Sequence, residues 1–195
     1  MKIILASGSP RRRELLGKLI KKFDIITSDF NENIIKKFEN NPEELVKKLS
    51  FAKANDVLKK INDCKNYVII AADTIVCINN EILGKPTDKN DAKQMLQKLS
   101  NNLHNVLTGM TVIINKNGII NLDTVCSKST ICFKQLSEKE ILDYINTGEP
   151  LDKAGSYAIQ GIGNKFIKKY DGNFDSIVGL DTNKLKDILK KYEVL

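Results

Sequence analysis

Strand-like and helix-like segments alternate along this 195-residue chain, and the alternation restricts the folds open to it. The segments with the composition of strands are Lys2 to Leu5, Phe23 to Thr27, Tyr67 to Ala72, Val106 to Ile114, Ile119 to Phe133 and Phe166 to Tyr170. The segments with helical signals are a first helix that begins at Pro10, then Pro42 to Asn62, Asp88 to Leu99, Ser137 to Thr147 and a last helix from Asn183. This pattern predicts an α/β fold.

Length and apolar content restrict the class of protein further. The chain is long enough to bury a core, and we expect one domain over residues 1–195. No apolar run approaches the roughly 20 residues of a membrane span, and the first residues have no signal-peptide pattern. We therefore expect a cytoplasmic protein that does not enter a membrane.

Charge and cysteine content disfavour two other classes. The net charge of +7 suits an anionic partner, but the lysines are spread along the predicted helices, as in Lys21-Lys22 and Lys190-Lys191. With few aromatic residues and no nucleic-acid motif, a DNA- or RNA-binding role is disfavoured. Four cysteines without a C-x-x-C pair and a single histidine encode neither a zinc site nor a disulfide framework.

All the arginines of the chain are adjacent. Arg11, Arg12 and Arg13 directly follow Ser7-Gly8-Ser9-Pro10, and every other basic side chain except the histidine is a lysine. The planar fork of donors on arginine suits phosphate oxygens better than the point charge of lysine. A small-residue turn at a helix N-terminus also presents backbone N–H groups to an anion. The segment therefore predicts a phosphate site, with a solvated basic helix start as the alternative.

An acidic residue follows the most apolar predicted strand. Val68 to Ala72 leads directly into Asp73-Thr74, and Ile75 to Ile78 continues toward a turn at Asn79-Asn80. In open α/β sheets, ligands bind beyond the carboxyl ends of the strands. If the strand ends here, Asp73 is placed where a substrate would bind.

Two lysines are candidates for contact with phosphate. Lys85 lies in the stiff turn Leu83-Gly84-Lys85-Pro86, and Lys53 lies on the second predicted helix near the apolar positions Leu49 and Val57. Each lysine can deliver a positive charge to a bound anion. Each is equally compatible with a solvated surface position.

A glycine-rich segment surrounds a single amide side chain. Asp152 to Gly161 reads DKAGSYAIQG, with Gln160 as its amide. Glycine permits close backbone approach to a ligand, and an amide offers one donor and one acceptor. That pair is complementary to the N–H and carbonyl edge of uracil or thymine. The alternative is a glycine-rich turn that packs on the sheet.

Taken together, these segments resemble the Maf family of nucleoside triphosphate pyrophosphatases, in order and over nearly the whole chain. The matching segments are Leu5 to Arg12 (LASGSPRR), Ala72 to Val76 (ADTIV), Leu83 to Pro86 (LGKP), Gly148 to Pro150 (GEP) and Asp152 to Gly161. The similarity is greatest to the branch that hydrolyses dTTP and UTP.

The resemblance implies a fold, a partner and site residues. It implies a mixed, twisted sheet flanked by helices, related to the inosine triphosphatase-like enzymes, with the active site in a cleft between two lobes, and it suggests a homodimer. It assigns catalysis to Asp73 and links substrate choice to Arg11, Thr74 and Gln160. The further positions it expects around the phosphates and a divalent metal are Ser7, Arg12, Glu32, Lys53 and Lys85.

These residues predict a reaction. The triphosphate would lie along the turn from Ser7 to Arg13 and between Lys53 and Lys85, while Glu32 and Asp73 hold Mg²⁺, Mn²⁺ or Co²⁺. Asp73 would position and deprotonate a water that attacks the α-phosphorus, and pyrophosphate would leave.

Three positions depart from the family pattern. Asn31 stands where an acid is common, which leaves Glu32 as the metal ligand. Asn101 follows Ser100 where a glycine is usual, and Asp181 follows Leu180 where a proline is usual. We expect the last two to change turns rather than the site.

Two other classes of function stay open. One is a nucleotide-binding regulator without turnover, in keeping with the family's association with septum formation and cell-division arrest. A carboxylate pair that repels phosphate without a metal argues against it. The other is a nucleic-acid-binding protein, which would associate with DNA in a salt-sensitive manner.

Overall fold

The computed structural model describes residues 1–61 and 65–195. Its strands are β1 (Lys2–Leu5), β2 (Asp24–Ile25), β3 (Tyr67–Ile78), β4 (Glu81–Leu83), β5 (Leu103–Lys116), β6 (Ile119–Phe133) and β7 (Ile167–Asp171). Its α-helices are α1 (Pro10–Leu19), α2 (Asn33–Lys36), α3 (Pro42–Lys60), α4 (Lys89–Leu99), α5 (Glu138–Asn146), α6 (Phe174–Val178) and α7 (Thr182–Lys191). Short 3₁₀ helices span Glu149–Asp152, Ala154–Ser156 and Ile162–Phe166.

Within the described residues the strands form one mixed seven-stranded sheet in the order β2-β1-β3-β5-β6-β7, with β4 paired to β3. β1 is parallel to β2 and β3, whereas the pairs β3–β4 and β6–β7 are antiparallel. The predicted α/β class, a mixed sheet flanked by helices, is confirmed. The predicted cleft and the relation to the inosine triphosphatase-like enzymes stay predictions.

The chain divides into two compact units. The first comprises Met1–Asp73, Thr108–Ser127 and Gly179–Leu195, and the second comprises Thr74–Leu107 and Lys128–Val178. A single domain over residues 1–195 stays a prediction.

In the first unit, α3 covers one face of the sheet. β1 and β3 pair from Lys2 opposite Tyr67 to Leu5 opposite Ile70. Because side chains alternate across a strand, every second residue of each strand points to the same face. The buried cluster on this face, which includes two residues of α3, consists of Ile4, Ala6, Ala54, Val57, Tyr67, Ile69, Ala71 and Ile113. This packing fixes α3 beside the end of β1, where the predicted site residues lie.

The contact between α3 and β5 depends on a glycine. A Cβ at Gly109 would lie 2.2 Å from the carbonyl oxygen of Val46 and 2.8 Å from the backbone nitrogen of Lys47. Real side chains do not tolerate such distances to backbone atoms, so only glycine lets the helix lie this close to the strand.

In the second unit, an aromatic cluster fills the space beside the ends of β5 and β6. The rings of His104, Phe133 and Tyr157 meet edge to face at centroid distances of 4.7 to 5.4 Å. Tyr144 of α5 and Phe166 make a further edge contact at 5.0 Å. Edge-to-face pairs at these distances are favourable beyond the area they bury.

The prediction that a strand ends at Asp73 is wrong. Ile75 and Val76 are buried, and β3 continues to Ile78 because the residues from Val76 onward pair with β4. The predicted turn at Asn79-Asn80 is confirmed, with φ angles of 49° and 65°. Asp73 nevertheless lies beyond the end of a neighbouring strand, because β1, which is parallel to β3, ends opposite Ile70.

The remaining predicted elements agree closely with the structure. The hairpin between β5 and β6 turns at Asn117 and Gly118, which have φ angles of 55° and 88°. The short elements α2, β4 and α6 are not predicted, since three to five residues carry too little periodicity. The predicted helix end at Asn62 and the predicted thiol at Cys64 lie outside the described residues.

Of the two departures expected to change turns, Asn101 lies in a turn and Asp181 lies at the N-cap of α7. Asn101 adopts a φ of 58°, a conformation that asparagine tolerates better than most residues with a side chain. Asp181 caps α7 by accepting a hydrogen bond from the backbone N–H of Lys184 at 3.0 Å, and it accepts a second from Ser127 Oγ at 2.6 Å.

No helix in the described part of the chain combines the length and the apolar character needed to cross a membrane. The cysteines of this part, Cys77, Cys126 and Cys132, are free thiols.

Candidate active site

The turn between β1 and α1 is held in place by its own side chains. Ser9 caps α1 and Pro10 is the first helical residue, as predicted. Ser7 Oγ accepts hydrogen bonds from the backbone N–H of Ser9 at 3.3 Å and from Arg12 at 3.2 Å. The Nε of Arg12 donates to the carbonyl oxygen of Gly179 at 2.8 Å. Arg12 therefore bridges the turn and the segment before α7.

The other two arginines of this run are more exposed than Ser7. Arg11 is half-buried and Arg13 is exposed. A cavity of about 610 Å³ adjoins the turn, and Arg13, Lys21 and Lys22 are among the residues that line it. Small-molecule sites commonly have volumes of this size, and the basic lining favours an anion.

Lys53 lies between two carboxylates. Its Nζ is 2.5 Å from Asp73 Oδ1 and 2.6 Å from Glu32 Oε1. The side chains of Lys53 and Asp73 are only 15% and 10% exposed, whereas that of Glu32 is 33% exposed. Lys53 lies on α3, Asp73 lies on β3 and Glu32 directly precedes α2. The alternative of a solvated Lys53 is therefore wrong.

These charges act on one another. Burial disfavours the charged form of Glu32, but hydrogen bonds from Lys36 and Lys53 outweigh this effect and lower its pKa from 4.5 to about 2. Burial also lowers the pKa of Arg12, while the charges of Asp73 and Glu32 act in the opposite direction. Arg12 thus lies in the electrostatic field of both carboxylates.

The carboxylate pair offers oxygen ligands of the kind that hard divalent cations prefer. Glu32 and Asp73 direct oxygens to within 2.6 Å of one point, now held by the lysine ammonium group. No group of three or more His, Cys, Asp or Glu side chains suited to a metal occurs in residues 1–61 and 65–195. Two carboxylates match magnesium, which usually binds one or two of them and completes its shell with water and substrate phosphate.

Two residues that the sequence did not single out hold the loop that carries Glu32. Asp56 accepts hydrogen bonds from Ser28 Oγ at 3.0 Å and from the backbone N–H of Asp29 at 2.9 Å. Lys60 donates to the carbonyl oxygen of Thr27 at 2.8 Å. Both lie on α3, three and seven residues after Lys53, so one helix positions the lysine and the loop. The hydrogen-bond partners are about 30 residues apart in the sequence, so no local sequence pattern could have identified Asp56 and Lys60.

The second unit contains the other predicted site residues. The backbone N–H of Gly155 donates to the carbonyl oxygen of Gly84 at 3.0 Å, which joins the glycine-rich segment to the turn that carries Lys85. Gly155 also lies against Val76, where a Cβ would be 2.8 Å from the side chain. Because Thr74 and Val76 are two residues apart on β3, they share a face of the strand. Lys85 is exposed and Thr74 is half-buried.

Gln160 is exposed and follows this segment directly. The backbone before it is anchored by Tyr157, whose hydroxyl lies 2.8 Å from His104 Nε2. The backbone after it is held by Glu149, which the sequence singled out only as part of a matching segment. The first unit thus assembles Ser7, Arg12, Glu32, Lys53 and Asp73, and the second places Lys85 and Gln160 on segments joined by a hydrogen bond.

Comparisons with known proteins show the family to which the chain belongs. A family model described as Maf-like protein matches residues 2–192. A dTTP/UTP pyrophosphatase of Clostridium botulinum (strain Kyoto / Type A2) is 45% identical over 192 residues, which are 98% of this chain and 97% of the relative. A protein of the same name from Clostridium beijerinckii is 46% identical over 194 residues, 99% of this chain and 100% of the relative. Another, from Clostridium perfringens (strain SM101 / Type A), is 42% identical over 194 residues, 100% of this chain and 98% of the relative. The chain belongs to the Maf family of proteins.

Proposed function

We propose that this protein is a nucleoside triphosphate pyrophosphatase that hydrolyses dTTP and UTP to the nucleoside monophosphate and pyrophosphate. The observation that carries the proposal is the shared contact of Lys53 with Glu32 and Asp73, in the same unit as the turn that carries the arginines. The full-length relatives named dTTP/UTP pyrophosphatase support the choice of substrate.

The phosphates would bind to positive charge already in place. Arg11 and Arg12 follow the Ser7 to Ser9 turn, where a helix N-terminus adds backbone N–H donors. Lys53 supplies an ammonium group beside the catalytic carboxylate, and Lys85 supplies an exposed one in the second unit. Fixed cations of this kind stabilise the charge that develops on phosphate oxygens during transfer.

Asp73 would act as the base. It is buried, and Lys53 donates to one of its oxygens at 2.5 Å, which fixes its orientation. A positioned carboxylate can take a proton from a water as that water attacks. The water oxygen would form a bond to the α-phosphorus, the bond from the α-phosphorus to the bridging oxygen would break, and pyrophosphate would leave with the electron pair.

Glu32 and Asp73 would hold a divalent cation, Mg²⁺, Mn²⁺ or Co²⁺. When bound, the cation would neutralise charge on phosphate oxygens. In the absence of metal, Lys53 would compensate the charge of the pair, and its hydrogen bond helps to lower the pKa of Glu32.

Base choice would depend on Gln160, Arg11 and Thr74. The amide of Gln160 can donate to a carbonyl of uracil or thymine and accept from its N–H. Its exposure leaves the amide free to meet a ligand. A cytoplasmic location and a homodimer stay predictions.

The test is a panel of common and modified nucleoside triphosphates with Mg²⁺ or Mn²⁺, with pyrophosphate and orthophosphate measured separately. Release of pyrophosphate mainly from dTTP and UTP is the expected result. Orthophosphate as the product would contradict attack at the α-phosphorus. Tight binding of a nucleotide without turnover would favour a regulator of cell division instead.

A further inference from the structure

A carboxylate outside the proposed catalytic group holds the turn that follows Gln160. Glu149 begins the first 3₁₀ helix of the second unit, directly after Gly148. Its Oε2 accepts a hydrogen bond from the backbone N–H of Ile162 at 2.9 Å. Its Oε1 accepts from the backbone N–H of Gly163 at 3.1 Å and from the hydroxyl of Tyr144 at 2.8 Å.

The turn is built to receive this carboxylate. A Cβ at Gly161 would lie 2.3 Å from Glu149 Oε1, and a Cβ at Gly163 would lie 2.7 Å from the hydroxyl oxygen of Tyr144. Neither position therefore has room for a side chain while Glu149 and Tyr144 keep their contacts. The glycine before Ile162 is thus explained by the carboxylate of Glu149, and the glycine after it by the hydroxyl of Tyr144.

Glu149 is held in its charged form. Burial disfavours the charge, but hydrogen bonds from Ile162, Tyr144 and Gly163 outweigh this effect and lower its pKa below 4.5. Hydrogen bonds to an ionised acceptor are roughly twice as strong as neutral ones, and the bonds of Glu149 to Ile162, Gly163 and Tyr144 form a clamp on the turn.

Gln160 lies between this clamp and a second anchor. Tyr157, three residues before Gln160, is buried and bonded to His104. The backbone is therefore anchored on both sides of an exposed amide, by a buried contact of Tyr157 before it and by the hydrogen bonds of Glu149 after it. A recognition amide needs a fixed orientation, because a displacement of about 1 Å can cost up to about 100-fold in rate.

We propose that Glu149 is a positioning residue for base recognition, which sets the orientation of Gln160 through the turn at residues 161–163. The inference rests on the proposed function, since it takes Gln160 to read the base. Glu149 itself does not contact the nucleotide. Its removal should therefore change the choice of base more than the rate of the chemical step.

The first test is Glu149→Gln, which keeps the shape of the side chain but removes its charge and one acceptor oxygen. The KM for dTTP and UTP should rise about tenfold, and the preference for them over dCTP should fall by about the same factor, with kcat changed less than about threefold. Should Glu149→Gln fail to fold, Tyr144→Phe removes one of the three hydrogen bonds and should give a smaller loss in the same direction.

The matched control is Glu140→Gln. Glu140 is also a carboxylate of the second unit that accepts hydrogen bonds from a backbone N–H and a hydroxyl, both of Ser137. It completes the capping box of α5 with Ser137 and pairs with Lys134, and among the described residues no hydrogen bond joins it to the turn after Gln160. Its substitution should lower stability without changing base preference.

Two further measurements separate positioning from a general loss of stability. In Glu149→Gln, the amides of Ile162 and Gly163 should exchange faster with solvent, while those of β5 should not change. In a Gln160→Ala background, Glu149→Gln should produce no further loss of preference, because the residue through which it acts is gone.

If Glu149→Gln reduced the base preference equally in the wild-type and Gln160→Ala backgrounds, the inference would be overturned. It would also be overturned if the Glu149→Gln variant had a loosened turn but kept the base preference of wild type. Failure of the proposed function gives a different result. The wild-type enzyme itself would then show no preference for dTTP and UTP, and the positioning role would fall with it.

Discussion

Lys53 touches two carboxylates, and each contact has a different consequence. Its bond to Asp73 orients the proposed base, whereas its bond to Glu32 helps to keep a partly exposed carboxylate ionised. Removal of one partner from a buried ion pair leaves a charge without compensation, which is strongly destabilising. Substitutions in this group must therefore keep shape and polarity if they are to report on chemistry rather than on folding.

Asp73→Asn meets that requirement. The amide keeps a group that can accept from Lys53 but cannot take a proton from water at neutral pH. We expect kcat for dTTP to fall by about 10² to 10⁴-fold, the usual contribution of a general base. Stabilisation of the folded protein by added dTTP, measured as a thermal shift, should remain.

Asp123→Asn is the matched control for this substitution. Asp123 is paired with Lys191 on the surface of the same unit, at 3.1 Å. Its substitution should leave kcat unchanged. An Asp73→Asn enzyme with wild-type turnover would remove Asp73 from the mechanism.

Arg12→Lys tests whether the fork of arginine is needed. Arginine donates to Gly179 through Nε and to Ser7 through a terminal nitrogen, and a single ammonium group cannot reproduce both directions. We expect the KM for dTTP to rise about tenfold, since charge-assisted bonds of this kind are strong.

The neighbouring Arg13→Lys, at an exposed position, provides the comparison. Its KM should stay within about twofold of the wild-type value, because lysine keeps the positive charge that Arg13 presents to the cavity. Equal effects of the two substitutions would mean that only net positive charge matters at this turn.

At the scale of elements, α3 does more than cover the sheet. It carries Lys53, and its residues Asp56 and Lys60 hold the loop that leads to Glu32. The helix can lie close enough to do this because β5 has Gly109 at the crossing point. A small displacement of α3 would therefore move the lysine and the loop together.

Gly109→Ala tests the crossing. The added methyl group would meet the backbone of Val46 and Lys47, which cannot rotate away as a side chain can. We expect the free energy of unfolding to fall by about 1–3 kcal/mol, the usual cost of an overpacked core, and dTTP turnover to fall as α3 shifts.

Gly17→Ala on α1 is the comparison, because a Cβ there meets nothing within 4 Å. Alanine in a helix interior is favoured over glycine by about 1 kcal/mol, so this variant should be more stable than wild type. Both stabilities can be measured by chemical denaturation. A Gly109→Ala protein as stable as wild type would show that α3 can move without cost.

The elements of the chain show what a sequence of this kind reveals. The N-terminus of α1 was predictable because Ser9 and Pro10 are local signals for a helix start. The turn between β5 and β6 was predictable because Asn117-Gly118 is a local signal for a turn. The length of β3 was not predictable from the sequence. Its second half is fixed by pairing with β4, a strand of three residues that has no pattern of its own. The contact of Lys53 with Asp73 depends on how α3 lies on the sheet, which no local signal specifies.

At the scale of the whole molecule, stability against acid depends on a residue that occurs once. His104 is the only histidine of the chain and is 1% exposed, and its Nδ1 has no hydrogen-bond partner among the described residues. Burial lowers its pKa from 6.5 to about 4. The groups packed around it are the hydroxyl of Tyr157 and the ring of Phe133, and neither offers a negative charge at neutral pH.

The direction of the pH dependence follows from that pKa. Below about pH 6.5 the unfolded chain binds a proton at His104, whereas the folded protein does so only near pH 4, so stability is lost as the pH falls through this interval. Across the whole interval the loss is about 3 kcal/mol, since each pKa unit corresponds to about 1.4 kcal/mol. The lowered carboxylate pKa values, such as that of Glu32, act in the same direction and already contribute at about pH 5, where the carboxyl groups of the unfolded chain begin to bind protons.

Chemical denaturation of wild type and of a histidine variant at about pH 7 and about pH 5 therefore separates the histidine from the carboxylates. We expect the wild-type free energy of unfolding to be about 2 kcal/mol lower at the acidic value. Glutamine cannot titrate in this range but can still form a hydrogen bond with Tyr157. In His104→Gln the difference in unfolding free energy between the two pH values should therefore be much smaller than in wild type, whatever the stability of the variant at pH 7. The same loss in His104→Gln as in wild type would place the acid sensitivity elsewhere in the molecule. In that case the buried aromatic cluster of the second unit would not limit the pH range over which the enzyme stays folded.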